Sequence, residues 1–190
     1  VLPMYFPFTR KEVYKHYFTI ANAVDLPILL YNFPENSKFN MTPELVADLS
    51  KVRGIMGIKD TVVDLGHMFK ILELVNEEFV VLSGTEAFLV PLLEQGGKGV
   101  IGPIANFAPK VVLGLYDAVK SGEDSRVRNY VEKISLLMGA LTAGPLVSVI
   151  KEAIKSAGFD IPSTVRSPLA QASPGQIAKV RHTMSKVKEK

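Results

Sequence analysis

The stretch RGIMGIKDTVVD, residues 53–64, decides how this chain is read. Ile55, Met56, Gly57 and Ile58 form an apolar run of strand character, and the run ends by presenting Lys59 and Asp60. A strand without polar alternation reads as one covered on both faces, the pattern of parallel sheets. Lysine is among the residues least often buried. Either the strand emerges into solvent at this point, or something needs an amine at its end.

Neighbouring stretches repeat the pattern. LPILLYN (26–32), FVVLSG (79–84) and GGKGVIG (96–102) read as further short strands. Thr42 followed by Pro43 opens a helix with Leu45, Val46, Leu49 and Val52 on one face. Asp64 is placed to cap a helix carrying Met68, Ile71, Leu72 and Val75, and Thr85 leads into a short helix with Phe88, Leu89, Leu92 and Leu93. Before the first strand, Thr9 and Glu12 spell a capping box, followed by Val13, Tyr17, Ile20 and Val24 at near-helical spacing. Residues 26–102 therefore alternate strand and helix. Two architectures use this repeat: the doubly wound open sheet and the (β/α)8 barrel. No GxGxxG or Walker loop follows any strand, which counts against a nucleotide-binding open sheet.

After residue 105 the pattern changes to helices over 106–120, 123–141 and 145–157. FDIPSTVRSPLAQ is an extended, proline-marked connector, and Ser173, Pro174 and Gln176 start a final helix. The apolar stripes of these helices predict core and subunit packing.

Composition narrows the function classes. With 190 residues, 47% hydrophobic and 22% charged, the chain is ordinary globular material long enough to bury a core. It has no cysteine, which excludes disulfides and thiolate metal sites. His16, His67 and His182 are scattered without ligand spacing, so no metal is expected. Surface or packing roles fit His16 and His182, and His67 falls early in a helix. No apolar run approaches the roughly 20 residues of a membrane span, and no signal peptide is evident, so a soluble, cytoplasmic protein is expected. The last twelve residues hold five of the Lys/Arg against one Glu, while the rest carries 17 against 18. No aromatics interleave with this basic cluster, and cations near a helix C-terminus account for it without nucleic acid.

Functional groups of parallel α/β proteins sit at the C-terminal ends of strands. Three ends carry candidates here: Tyr31 with Asn32, Lys59 with Asp60, and Gly84 with Thr85 and Glu86. Adjacent strands lie roughly 4.8 Å apart. If these strands are consecutive, Tyr31 and Lys59 come within side-chain reach. A partly dry pocket favours the neutral form of an amine, and a neutral amine attacks a ketone to form a Schiff base. A tyrosine hydroxyl nearby can shuttle the protons. Asp60, by alternation, points away from Lys59 and is assigned to the loop or to a supporting role.

LLYNFP, then GIKDT with its lysine 28 residues beyond the tyrosine, then LSGTEAF and GGKGVIGPIAN resemble the dihydrodipicolinate synthase / N-acetylneuraminate lyase family of class I aldolases. The likeness runs from Pro3 to Arg166–Pro168. It implies that Lys59 is the Schiff-base lysine and Tyr31 the catalytic tyrosine. Tyr5 would complete a proton relay across a subunit interface, and Gly84 and Ile101 would line the pocket through their backbones. The implied fold is the C-terminal half of a (β/α)8 TIM barrel over residues 1–120, followed by a C-terminal helical bundle over 121–190. The barrel part would run from the end of strand 4 through strand 8 and its helix. The glycine-rich segment and Thr/Ser pair that hold a keto-acid carboxylate in the family would lie upstream of Val1, so the chain reads as the C-terminal portion of a larger enzyme.

The motifs also bear on which family member this is. The synthases place an arginine where YNFPENSK has Asn36, and asparagine cannot provide that carboxylate fork. The sialic-acid lyases carry two acids after the glycine, whereas here Thr85 and Glu86 precede Ala87. GIKDT is nearest to 2-keto-3-deoxy sugar-acid aldolases, with Thr61 and Glu86 as substrate hydroxyl contacts. The expected reaction is thus reversible cleavage of such an acid to pyruvate and an aldehyde, without cofactor or metal, in a homotetramer. Dihydrodipicolinate synthesis, a keto-acid dehydratase on the same scaffold, and a non-catalytic half-barrel fragment are the alternatives.

Overall fold

The computed structural model describes residues 1–3 and 5–189. The chain divides into two compact units, Val1–Ile101 and Gly102–Lys190.

In the first unit the elements run α1 (Arg10–Ala23), β1 (Ile28–Asn32), α2 (Pro34–Ser37), α3 (Pro43–Leu49) and β2 (Ile55–Asp60). They continue with α4 (Leu65–Leu74), β3 (Val80–Ser83), α5 (Leu89–Glu94) and β4 (Gly99–Val100). The helix starts follow local chemistry. Thr9 and Glu12 close the capping box of α1, with the Thr9 amide donating to Glu12 Oε2 at 2.7 Å. Thr42 accepts from the Leu45 amide ahead of Pro43, and Asp64 accepts from the amides of Gly66 and His67. The buried stripe of α1 is Val13, Tyr17 and Ala21. Ile20 and Val24, expected on that face, are 38% and 42% exposed. A strict four-residue step from Val13 selects Ala21, so the small residue packs inward and the larger ones face out.

The four strands pair in parallel and in chain order, β1-β2-β3-β4, with no reversal of the kind a doubly wound sheet contains. One face is sealed by the helices. Leu30, Ile58 and Val81 on it are fully buried against Val13, Leu45, Leu49, Met68, Ile71 and Leu92. The opposite face carries Leu29, Tyr31, Gly57, Lys59 and Leu82, by alternation along each strand. Cover on both faces was expected; instead Leu29 is 46% exposed. The helices between strands all pack on one side, and in barrels the second side is filled by side chains of the barrel wall itself. Gly57 is required at the crowded middle of this sheet. A Cβ there would lie 2.3 Å from the Val80 carbonyl oxygen and 2.7 Å from Val80 Cβ.

The second unit holds α6 (Pro109–Lys120), α7 (Asp124–Leu141), α8 (Leu146–Ser156) and α9 (Pro174–Glu189). Helix α6, expected with the barrel half, falls within this unit. It packs on α7, while α9 contacts both α7 and α8. Gln171 anchors the connector to α8 by donating to Ser148 Oγ (3.3 Å) and to the Ser163 carbonyl (2.9 Å). Part of the basic tail is engaged within the unit, where Arg181 Nε donates to the buried Glu152 carboxylate at 2.7 Å. Among the described residues, no helix is long and apolar enough to cross a membrane.

Candidate active site at the strand ends

Tyr31 on β1 and Lys59 on β2 are register partners. Both point to the open face of the sheet, because Leu30, Asn32, Ile58 and Asp60 take the helix side. The Lys59 ammonium lies over the Tyr31 ring, 4.3 Å from its centroid, and the Tyr31 ring stacks on Phe33 at 5.7 Å. A cation on an aromatic face gains about 0.5–2 kcal/mol depending on solvation. Among the described residues, no carboxylate is in ion-pair range of Lys59. The amine is thus half-buried beside a phenol.

The other residues singled out in the sequence sit around this pair to different degrees. Thr61 is tied to the end of β1: its hydroxyl donates to the Asn32 carbonyl at 2.5 Å and its amide to the same oxygen at 3.0 Å. The Gly84 amide donates to the Asp60 carbonyl (2.6 Å), and the Ile101 amide to that of Ser83 (2.9 Å). These bonds continue the ladder beyond the last strand residues and place four consecutive loop starts at one end of the sheet. Glu86, expected as an acceptor for a substrate hydroxyl, is only 1% exposed, at the head of the turn Glu86–Phe88. Burial turns it from an open-cleft contact into part of the interior. Tyr5 is 87% exposed, its ring meets Phe6, and its φ of 102° is rarely adopted outside glycine. Asn36 is exposed on α2.

Behind the pair lies a set of buried polar residues, of which sequence reasoning gave a supporting role to Asp60 alone. Asn32, Asp60 and Ser83 are register partners on the helix-facing side, each at most 1% exposed. Asn32 Nδ2 donates to Asn40 Oδ1 (2.9 Å) and Asp60 Oδ1 (3.1 Å), and its Oδ1 accepts from the Met41 amide (3.1 Å). Asp60 Oδ1 also accepts from the Val62 amide (3.0 Å). His67 Nδ1 lies 2.8 Å from Asp60 Oδ2, and its Nε2 lies 3.0 Å from the Met41 carbonyl. The hydrogen bond to Asp60 raises the His67 pKa above its ordinary value; burial opposes this, and the charge of Asp60 assists. The sequence signal for His67 was indirect: alternation sends Asp60 inward, and a buried carboxylate needs donors. No group of three or more His, Cys, Asp or Glu converges as a metal site among the described residues.

Known proteins share this fold. The model of the dihydrodipicolinate synthetase family matches residues 1–187. The 4-hydroxy-tetrahydrodipicolinate synthase of Syntrophus aciditrophicus is 36% identical over 184 residues, 97% of this chain and 63% of its own length. That of Pseudomonas aeruginosa is 37% identical over 174 residues, covering 92% and 59%. Among solved structures, YagE, a prophage protein of the dihydrodipicolinic acid synthase family from E. coli K12 solved in complex with pyruvate, superposes with a TM-score of 0.92. It is 30% identical, with 98% of this chain and 64% of YagE covered. Dihydrodipicolinate synthase from Thermotoga maritima gives a TM-score of 0.90 at the same identity and coverage. The chain thus spans less than two thirds of these relatives, and over that span its parallel α/β fold is theirs. With a family model matched from the first residue to 187, and a lysine and a tyrosine paired at the sheet's carboxyl end, the chain belongs to the dihydrodipicolinate synthetase family.

Proposed function

We propose that this chain carries the reacting groups of a class I, Schiff-base enzyme that makes or breaks a carbon–carbon bond beside the keto group of pyruvate. The observation that carries the reading is the Lys59–Tyr31 register pair, with the amine 4.3 Å from the ring centroid. The neutral amine of Lys59 adds to C2 of pyruvate, and loss of water leaves the imine. Removal of a C3 proton gives an enamine, which attacks the carbonyl carbon of an aldehyde to form the new bond; cleavage is the reverse. The Tyr31 hydroxyl carries protons to and from the departing water and the aldehyde oxygen. Tyr5 assists only if a neighbouring subunit receives it, as a homotetramer would allow. Thr61 and the backbones of Gly84 and Ile101 shape the rim. The lysine is its own electron sink, so the scheme uses no organic cofactor. YagE, solved with pyruvate, supports the choice of keto acid.

For the aldehyde, the names of the curated relatives support 4-hydroxy-tetrahydrodipicolinate synthesis better than cleavage of a 2-keto-3-deoxy sugar acid, and we take synthesis as the working reaction. One observation favours the sugar acid: exposed Asn36 stands where the synthases place an arginine for the second substrate's carboxylate.

The test is intact mass and peptide mapping of the full-length protein after incubation with pyruvate and borohydride. A reduced pyruvyl adduct on Lys59 is expected, and none on a Lys59→Ala variant. An unmodified chain, or an adduct on a different lysine, overturns the assignment. Supplying a carboxylate-bearing aldehyde or a keto-deoxy sugar acid then separates the two reactions.

A further inference from the structure

Four groups behind the reacting pair form a closed hydrogen-bond ring. Asn32 Nδ2 donates to Asp60 Oδ1, Asp60 Oδ2 meets His67 Nδ1, His67 Nε2 meets the Met41 carbonyl, and the Met41 amide returns to Asn32 Oδ1. The partners around this ring constrain its donor and acceptor roles. A backbone carbonyl only accepts, so Nε2 of His67 bears a proton. Asp60 Oδ1 already accepts from Asn32 and from the Val62 amide. One proton lies between Nδ1 and Oδ2, and the raised pKa of His67, whose largest cause is this hydrogen bond, places it on the imidazole. Both nitrogens donate, which only the imidazolium can do.

The ring's position gives it a use. Asn32 directly follows Tyr31 on β1, and Asp60 directly follows Lys59 on β2. The Asn32–Asp60 bond therefore clamps the two strands one residue beyond the reacting pair, on the opposite face. His67 reaches this clamp from α4 and ties it to the loop before α3. Its side chain is 9% exposed and that of Asp60 is fully buried. We propose that His67, held as an imidazolium between Asp60 and Met41, is a positioning residue that keeps Tyr31 opposite Lys59. This use rests on the Schiff-base reading, in which that pair reacts; the ring itself does not.

Two charged groups act on the imidazole, Asp60 from β2 and Asp64 from the cap of its own helix, and both favour the cation. The loop before α3 contributes only the Met41 carbonyl. The folded pKa is raised, so the sign is set. The contribution of the charged ring to stability is complete below the ordinary value of 6.5 and is lost as pH rises through the higher folded value.

The test is NMR on the full-length protein with labelled histidine ring nitrogens, titrated from about pH 6 to about pH 9 around the ordinary histidine range. Both His67 nitrogens should carry protons at a pH where free histidine is mostly neutral. The cross-relaxation contact between the Lys59 ε-methylene and the Tyr31 ring should fade with the same titration, while the strand amide resonances persist. Asp60→Asn should move both transitions together to lower pH, and His67→Gln should lack the contact at every pH. A singly protonated ring at neutral pH, or a Lys59–Tyr31 contact unaffected by titration and by His67→Gln, overturns the proposal. The wild-type titration needs no variant, so a misfolded mutant does not obscure the answer. Borohydride trapping is read separately: absence of a pyruvyl adduct in the wild type removes the Schiff-base reading and leaves the ring measurement decisive for positioning.

Discussion

Gly84, at the mouth of the strand ends, offers a direct check on how tightly the site is packed. A Cβ there would stand 2.0 Å from Thr61 Cγ2 and 3.0 Å from Thr61 Cα and Cβ. Carbon atoms in contact prefer about 3.5–4.0 Å, so Gly84→Ala forces the Thr61 methyl to retreat by about 1.5 Å. Threonine is stiff about χ1, and its hydroxyl and amide are both engaged with the Asn32 carbonyl. Rotation of the methyl thus withdraws the hydroxyl from β1, and translation strains the loop. Overpacking costs about 1–3 kcal/mol and a lost hydrogen bond about 0.5–1.5 kcal/mol, so Gly84→Ala should destabilise by about 2–4 kcal/mol. Thr61→Ser keeps the hydroxyl and deletes the methyl. In the alanine background it should restore roughly half of the loss, since the contacts to Cα and Cβ remain. Urea unfolding of wild type, both single variants and the double variant, with slopes compared, completes the cycle. A Gly84→Ala protein within about 0.5 kcal/mol of wild type, or two substitutions that simply add, would refute the packing argument.

Two further outcomes follow from single side chains. Tyr31→Phe keeps the ring beneath Lys59 but removes the hydroxyl, so the borohydride adduct should still form while turnover falls about 10²–10⁴-fold; steady-state rates at saturating keto acid decide it, and unchanged turnover would exclude the phenol as proton carrier. Burial pushes the Tyr17 phenol up to about 12 from its ordinary 10.0. The unfolded chain ionises first, so stability should fall from pH 10 and level off near 12, by about 3 kcal/mol in all. Ultraviolet titration and denaturant midpoints of wild type and Tyr17→Phe test this, and a phenol titrating at 10 would contradict the burial.

Much of the fold was legible because its signals are local. Thr9 with Glu12, Thr42 with Pro43, and Asp64 each announce a helix within four residues, and all three helices start there. Helix α2 was not legible. Four residues hold no apolar period, and Pro34 serves as the first residue of the helix. At the site, Lys59 and Tyr31 stood out as unusual residues at strand ends. His67 did not, because its partners Asp60 and Met41 lie 7 and 26 positions away and no pattern in one segment records them.

The sequence by itself determined the alternation of strand and helix, the parallel sense of the strands, and the fact that Lys59 and Asp60 take opposite faces. These follow from capping chemistry and from the two-residue period of an extended chain. Only the tertiary structure decided which residues meet. A shift in register between Ile28 and Leu29 sets Tyr31 against Lys59 and Asn32 against Asp60. A one-residue slip would turn every one of those side chains to the other face. Pairing between strands is set by the fit of the whole sheet to its helices, including the close approach that only Gly57 permits, and no single segment contains that information.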